Sequence, residues 1–332
     1  MAKLKFGVEL PQHLGFEYLK EMAQTIEKLG YDSIWIRDHL TVSPFEMTRF
    51  QQGYIKNGKR VVSGNYLGCI PTMAAAAAVT KRVLIGTDIL NIPRRNPIDI
   101  ANEFATIDQI SNGRVILQGA IGQPTRDWAS SGVRHPYEER GKMMEEAIAV
   151  IKQVWTHDEP TDFKGKYYNI EGARIGSKPV QKPHPPIWLG VGKTFKRVAR
   201  IADGFTLSHS MFGGKFEEYK AGLDKINAEA KAIGRNPKKI EAAARFALTL
   251  GADVEATKKR GAAHWGALWS ESQPWHTEWA GDADHVIKVM TPWLKAGVTH
   301  IMLWPIAYAP TEKGRFQDIE YFAKKVIPRL RK

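Results

Sequence analysis

Two hydrophobic rhythms alternate along this chain. Residues 4–9 form a short apolar run that reads as a strand. Residues 16–30 then carry Phe16, Leu19, Met22, Ala23, Ile26 and Leu29 at helical spacing, with Gly30 as a C-cap. The pattern repeats. Residues 33–37, 66–70, 83–90 and 114–119 read as strands, as do 185–190, 204–207, 240–250 and 299–304. Helical periods fall at 72–80, 97–110, 137–155, 194–202, 215–233, 281–296 and 316–330, two of them opened by Pro71 and Pro97 at positions where a missing N–H costs nothing.

Strand–helix alternation over the whole chain, with no break in composition, implies parallel strands joined by right-handed helical crossovers. A (β/α)8 TIM barrel is the predicted fold, with a doubly wound sheet as the alternative. Nine strand candidates compete for eight places, so either 66–70 or 204–207 is surplus. No Gly-x-Gly-x-x-Gly follows an early strand, which counts against a dinucleotide-binding half. The reading is a single domain over residues 1–332, with insertions at about 40–66, 156–186 and 262–280.

Composition narrows the function classes. The 332 residues include 48 Lys+Arg against 35 Asp+Glu, a formal net charge of +13, and a single cysteine. One cysteine excludes an internal disulfide framework and a multi-thiolate metal site, and no metal is expected. No signal-peptide core and no apolar run near the ~20 residues of a membrane span is present, which predicts a cytoplasmic protein without a membrane partner. The basic residues are scattered, the longest block being Lys258-Lys259-Arg260, and no nucleic-acid-binding motif is found. The charge therefore points either to a solvated basic surface or to a small polyanionic ligand.

In a barrel the chemistry collects at the C-terminal ends of the strands. Those ends carry Glu9 with Gln12 and His13, Asp38-His39, Cys69-Ile70 with Thr72, Asn91 to Asn96, Gly119 to Gly122, and Gly190-Val191-Gly192-Lys193. Each has a plain alternative: a loop cap, a turn glycine, a small core thiol, an Asx turn. The Gly190–Thr194 turn, with Lys196 and Arg197 following, also suits a phosphate at a helix N-terminus.

Together with Gly30-Tyr-Asp-Ser-Ile-Trp-Ile-Arg-Asp38-His39, Arg82–Thr87, Arg95-Asn96-Pro97, Tyr137–Arg140, Phe163–Tyr168, Lys178–Trp188 and Ala202–Phe205, these residues resemble the bacterial-luciferase-like flavin and deazaflavin oxidoreductases. Asp38-His39 and Cys69-Ile70 resemble the coenzyme F420-dependent branch. The resemblance implies hydride transfer at the deazaflavin C5, with His39 facing ring and substrate and relaying a proton. It further implies that Asp38 and Thr72 bond the ring system and that Cys69-Ile70 form a bulge through a non-prolyl cis peptide. Asn91 and Asn96 would line the ring, and Val191, Gly192 and Lys193 would meet the phosphate. F420 carries a phosphate and an oligoglutamate tail, which suits a +13 chain better than FMN, the alternative cofactor. A homodimer is also implied.

The chain departs from the family's sugar-phosphate dehydrogenases. Their acid in the loop after the fourth strand falls at Pro93, and their phosphate-binding lysine has no match in 206–213, so glucose 6-phosphate oxidation is not expected. Glu9 is a replacement acid. Trp265, Trp269, Trp275 and Trp279, with His264 and His276, either wall a substrate pocket or cover the barrel or a dimer interface. The expected substrate is a small pterin-type molecule or an alcohol. The alternatives are an FMN-dependent monooxygenase and a non-catalytic flavin-binding protein.

Overall fold

The computed structural model of the protein describes residues 3–40, 54–57, 59–62, 65–122, 126–133, 135–191, 194–207, 215–268, 279–304 and 316–331. Eight parallel strands close into a barrel: β1 (Lys5–Glu9), β2 (Ser33–Ile36), β3 (Leu84–Thr87), β4 (Val115–Ala120), β5 (Ile187–Val191), β6 (Gly204–Leu207), β7 (Glu241–Phe246) and β8 (His300–Leu303). β8 pairs with β1 (Lys5 opposite His300), and β4 pairs with β5 (Leu117 opposite Ile187), so the sheet has no free edge. The TIM-barrel expectation is borne out.

Of the two doubtful strands, 204–207 is a barrel strand and 66–70 is not. Residues 65–68 are irregular, and helix α2 runs Cys69–Val79, with Pro71 still inside the first turn. The earlier helix, α1 (Phe16–Lys28), turns Tyr18, Leu19, Met22, Ala23 and Ile26 onto the barrel. Each large side chain so buried contributes roughly 1.5–3 kcal/mol. The end of α2 lacks a glycine cap. The buried Arg114 guanidinium serves instead, donating to the carbonyls of Ala77 and Thr80 at 3.0 Å each and of Val83 at 2.7 Å. The carbonyls of Ala77 and Thr80 are ones that the helix itself cannot satisfy. Burial lowers the Arg114 pKa, opposed by Glu27.

Helix α3 (Pro97–Ser111) follows β3, and α4 (Arg140–Thr156) follows β4. The 156–186 segment contains an antiparallel hairpin, Thr161–Lys164 with Asn169–Ala173. The 40–66 segment contains a smaller one, Tyr54–Lys56 with Lys59–Val61. The remaining crossovers are α5 (Phe195–Ile201), α6 (Phe216–Ala232), α7 (Val254–Leu268) and α8 (Ala283–Ala296), and the helical segment 317–330 closes the chain. Helix α8 is fixed at both ends: Asp282 accepts from the His285 N–H at 2.9 Å, and Gly297 ends it at φ +111°.

Two predicted strands are interrupted. The 83–90 run stops at Thr87, and Leu90–Asn91 resumes as a short ladder on β4. The 240–250 run splits into β7 and Thr249–Leu250. Both breaks lie at the C-terminal mouth.

Candidate active site

The waist of the barrel is solid. Trp35, Ile116, Trp188, Ala243 and Met302 fill it, with the Trp35 and Trp188 rings 5.4 Å apart. Three glycines make room: a Cβ on Gly7 would lie 2.4 Å from the Trp35 ring, one on Gly86 2.3 Å from the same ring, and one on Gly204 2.5 Å from Trp188. Below the waist, Ser33 Oγ and His300 Nε2 are 2.7 Å apart in full burial, which pushes the His300 pKa down to about 3 and keeps the imidazole neutral. Ligands are thus confined to the mouth.

Polar side chains appear above the waist. Glu9 and Arg37 form a two-point ion pair, Nε to Oε1 at 2.6 Å and Nη2 to Oε2 at 3.0 Å, and the guanidinium lies 4.1 Å from the Trp304 ring. Asp88 and Arg245 are ion-paired across the interior, both at most 5% exposed. Gln118 donates to Thr206 at 2.9 Å and more loosely to Asp88 at 3.4 Å. Burial pushes the Arg245 pKa down to about 10, with Glu9 opposing.

Asp38 and His39 leave β2 side by side, but their side chains do different things. The Asp38 carboxylate is buried and occupied. It accepts from the Asn91 N–H at 3.0 Å, pairs with Arg94 at 2.7 Å and pairs with Arg95 at 2.7 Å. The expectation that Asp38 bonds a ring directly is revised accordingly: its oxygens already hold the Asn91–Arg95 segment. His39 is partly exposed, its ring perpendicular to that of Tyr66 with centroids 5.4 Å apart. Burial raises the Tyr66 phenol pKa well above its ordinary range, with Arg37 opposing.

Asn91 is 8% exposed, and its side-chain oxygen has no hydrogen-bond partner among the described residues. Gly122 lies against it at φ +71°, where a Cβ would come within 2.2 Å of the Asn91 amide. Asn96 is exposed, and its side-chain oxygen accepts from the Ile98 N–H at 2.8 Å as the cap of α3. This gives its oxygen a structural use at the start of the helix.

Cys69 and Ile70 open α2, so the bulge expected there is corrected as well. Among the described residues the non-prolyl cis peptide is Asp88–Ile89, just past β3. Cys69 is 2% exposed, its thiol donates to the Ile36 carbonyl at 3.6 Å, and burial pushes its pKa well up. Thr72 is buried one turn into α2. Removing 66–70 from the strand count also moves the loop after the fourth strand from Pro93 to Ile121 onward.

The side chain of Val191 and residues Gly192 and Lys193 lie outside the described residues, as do residues 208–214. So do the side chains of His264 and Trp265, and Trp269, Trp275 and His276. Trp279 is described: it is 4% exposed, and its ring packs 5.1 Å from Phe246 as part of the core. Among the described residues no group of three His, Cys, Asp or Glu side chains is arranged to hold a metal, and no helix is long and apolar enough to cross a membrane.

The sequence reading missed Tyr66, Gln118 and Arg245 as members of the mouth. A signal for several was present. Each of Glu9, Arg37, Asp88, Gln118 and Arg245 is a charged or amide residue at or just past the end of an otherwise apolar or small-residue strand.

The luciferase-like monooxygenase family model matches residues 3–298. The chain is 28% identical over 357 aligned residues to the F420-dependent glucose-6-phosphate dehydrogenase of Amycolatopsis mediterranei (strain U-32), covering 99% of both proteins. Among solved structures, the monooxygenase RslO1 from Streptomyces bottropensis superposes with a TM-score of 0.80 at 19% identity, over 98% of this chain and 100% of that one. The coenzyme F420-dependent tetrahydromethanopterin reductase from Methanopyrus kandleri superposes with a TM-score of 0.77 at 22% identity, over 99% of each chain. At these identities the two superpositions speak for the fold.

Proposed function

The chain belongs to the luciferase-like monooxygenase family, and from that membership we propose that it is an F420-dependent oxidoreductase. It moves a hydride between the deazaflavin C5 and a carbon of a small organic substrate, of the pterin or alcohol type. The observation that carries this reading is the end-to-end similarity, 28% over 99% of both chains, to an F420-dependent dehydrogenase.

The residues at the mouth fit such a cofactor. Asn91 offers a buried acceptor with no partner among the described residues, and the missing Cβ of Gly122 is what lets its amide sit there. Asn91 and Thr72 would hold the ring system, and Val191, Gly192 and Lys193 the phosphate. Asp38 would act indirectly, by fixing Asn91, Arg94 and Arg95. The bound cofactor supplies the hydride chemistry itself. The chain's own part is orientation, exclusion of water above a solid waist, and proton handling. His39 carries the proton on an imidazole nitrogen between substrate and solvent. Glu9, tied at both oxygens to Arg37, is a second acceptor and keeps that guanidinium against Trp304. The reading includes a cytoplasmic homodimer.

The test is a paired titration with F420 and FMN by fluorescence quenching at two salt concentrations. Micromolar or tighter F420 binding that weakens with salt, with FMN much poorer, is the expected result. Tight FMN binding with negligible F420 binding overturns the reading in favour of an oxygen-dependent flavin enzyme. Turnover of bound F420 is then screened with a secondary alcohol, a reduced pterin and glucose 6-phosphate.

A further inference from the structure

Gln12 is 1% exposed, and its carboxamide uses its full hydrogen-bonding capacity. Its nitrogen donates to the carbonyls of Arg37 at 3.0 Å and Leu67 at 2.7 Å. Its oxygen accepts from the Arg37 N–H at 2.9 Å and the Tyr66 hydroxyl at 3.1 Å. The side chain thus meets both backbone groups of Arg37, as a neighbouring strand would, just beyond the end of β2. It also ties down the 66–67 segment, whose Leu67 N–H points back to the Gln12 carbonyl at 3.4 Å. His39 lies between these anchors. Its backbone follows the clamped Arg37 by two residues, and its ring meets the tethered Tyr66 ring edge to face.

We propose that Gln12 and Tyr66 form a positioning unit that sets the ring orientation of His39. The inference rests on the reading of His39 as the proton relay, and it deepens that reading. Neither residue is asked to touch substrate. Gln12 fixes the phenol, and the phenol ring fixes the imidazole. The buried phenol stays protonated, so it remains a donor to Gln12 and is not itself the relay. The Gln12 oxygen and nitrogen also bond backbone groups of Arg37 and Leu67, so the anchor of the Tyr66 hydroxyl is itself held in place. A proton relay needs its ring nitrogen held toward the reacting atom, and an imidazole on a loop after a strand gains that only from its neighbours.

The experiment uses the full chain with histidine labelled for NMR, the His39 ring signals being assigned by their loss in His39→Asn. Gln12→Ala, Tyr66→Phe and Tyr66→Leu are compared with the parent protein, and each is titrated with F420. Tyr66→Leu is expected to move the His39 ring signals by removing the adjacent aromatic ring. Gln12→Ala and Tyr66→Phe, which keep a ring but cut its tether, are expected to move or broaden the same signals while those of the distant His157, His184, His285 and His300 stay in place. His39 signals unchanged in both untethered variants overturn the proposal. Tyr66→Phe, which removes one oxygen, keeps the test available where Gln12→Ala does not fold. Failure of the parent protein to bind F420 overturns the cofactor reading instead, and the His39 signals report on the positioning unit independently of it.

Discussion

Replacing Arg245 by Met isolates one charge in the interior of the barrel. The perturbation removes the guanidinium that pairs with Asp88 and keeps a side chain of comparable length. Both partners are at most 5% exposed, so solvent does little to screen what remains. Asp88 then retains only the long 3.4 Å contact from Gln118, and its second oxygen has no hydrogen-bond partner among the described residues. Breaking a buried pair from one side in this way costs about 3–5 kcal/mol, because the cost is the desolvation of the orphaned charge. With an unfolding entropy of about 2.1 cal/mol/K per residue, the whole chain has about 0.7 kcal/mol/K, so Tm falls by about 4–7 °C. Reversible urea unfolding followed by tryptophan fluorescence measures the same loss isothermally. The decisive step is the double variant. Asp88→Asn added to Arg245→Met removes the stranded charge and is expected to recover at least half of the loss, a non-additivity that only contacting groups show. An Arg245→Met cost below about 1 kcal/mol, or a double variant less stable than Arg245→Met alone, refutes the reasoning.

Other positions give independent checks. Glu27 accepts from the N–H groups of Lys81, Arg82 and Val83 at 2.6–3.0 Å. Burial raises its pKa, but these bonds outweigh burial, and the net direction is down. A depressed folded pKa stabilises above the unfolded value of about 4.3 and is lost as pH falls through the folded one, so the stability gap between parent and Glu27→Gln is expected to be full at pH 7 and to shrink below pH 4. A gap independent of pH contradicts this. Gly86→Ala puts a methyl where the Trp35 ring already lies, at 2.3 Å, and is expected to cost about 1–3 kcal/mol with a change in tryptophan emission; a neutral substitution means that the waist is looser than described. The Cys69 thiol, buried with a raised pKa, is expected to react with an aromatic disulfide reagent only as fast as the protein unfolds, and rapid labelling of native protein contradicts its placement.

The repeating units were legible because barrel strands and amphipathic helices impose local periods, and local periods are what a sequence displays. The errors fall where an apolar run is too short to have one. Leu67-Gly68-Cys69-Ile70 reads equally well as a buried strand or as the apolar start of a helix. It becomes helix because Gly68 precedes the first turn in extended conformation and five alanines continue the helix. The 83–90 run looks continuous because Asp88 is flanked by Thr87 and Ile89, and nothing local marks the chain's departure from β3 toward β4. Arg245 is harder still. Within Ala-Ala-Ala-Arg-Phe-Ala it looks like the exposed end of a strand, and only the closure of the barrel brings it to Asp88, 157 positions away.

The same distinction separates the site residues that were found from those that were missed. Asp38, His39, Asn91 and Glu9 stand out because a polar residue at a strand end is locally unusual. Their roles are not local. Asp38 looks like a ligand-binding acid until its oxygens are seen to be spent on Arg94, Arg95 and the Asn91 N–H. Asn96 looks like a partner of Asn91 until its oxygen is seen to cap α3. Gln12 looks like one more polar residue at a strand end until all four of its hydrogen bonds are counted. Among the described residues the charged groups of the mouth hold one another, Glu9 with Arg37, Asp38 with Arg94 and Arg95, and Asp88 with Arg245. The groups left for a ligand are those whose own hydrogen bonds are incomplete, and for that reason Asn91, whose buried side-chain oxygen has no partner among the described residues, is the described residue on which ring recognition is most directly tested.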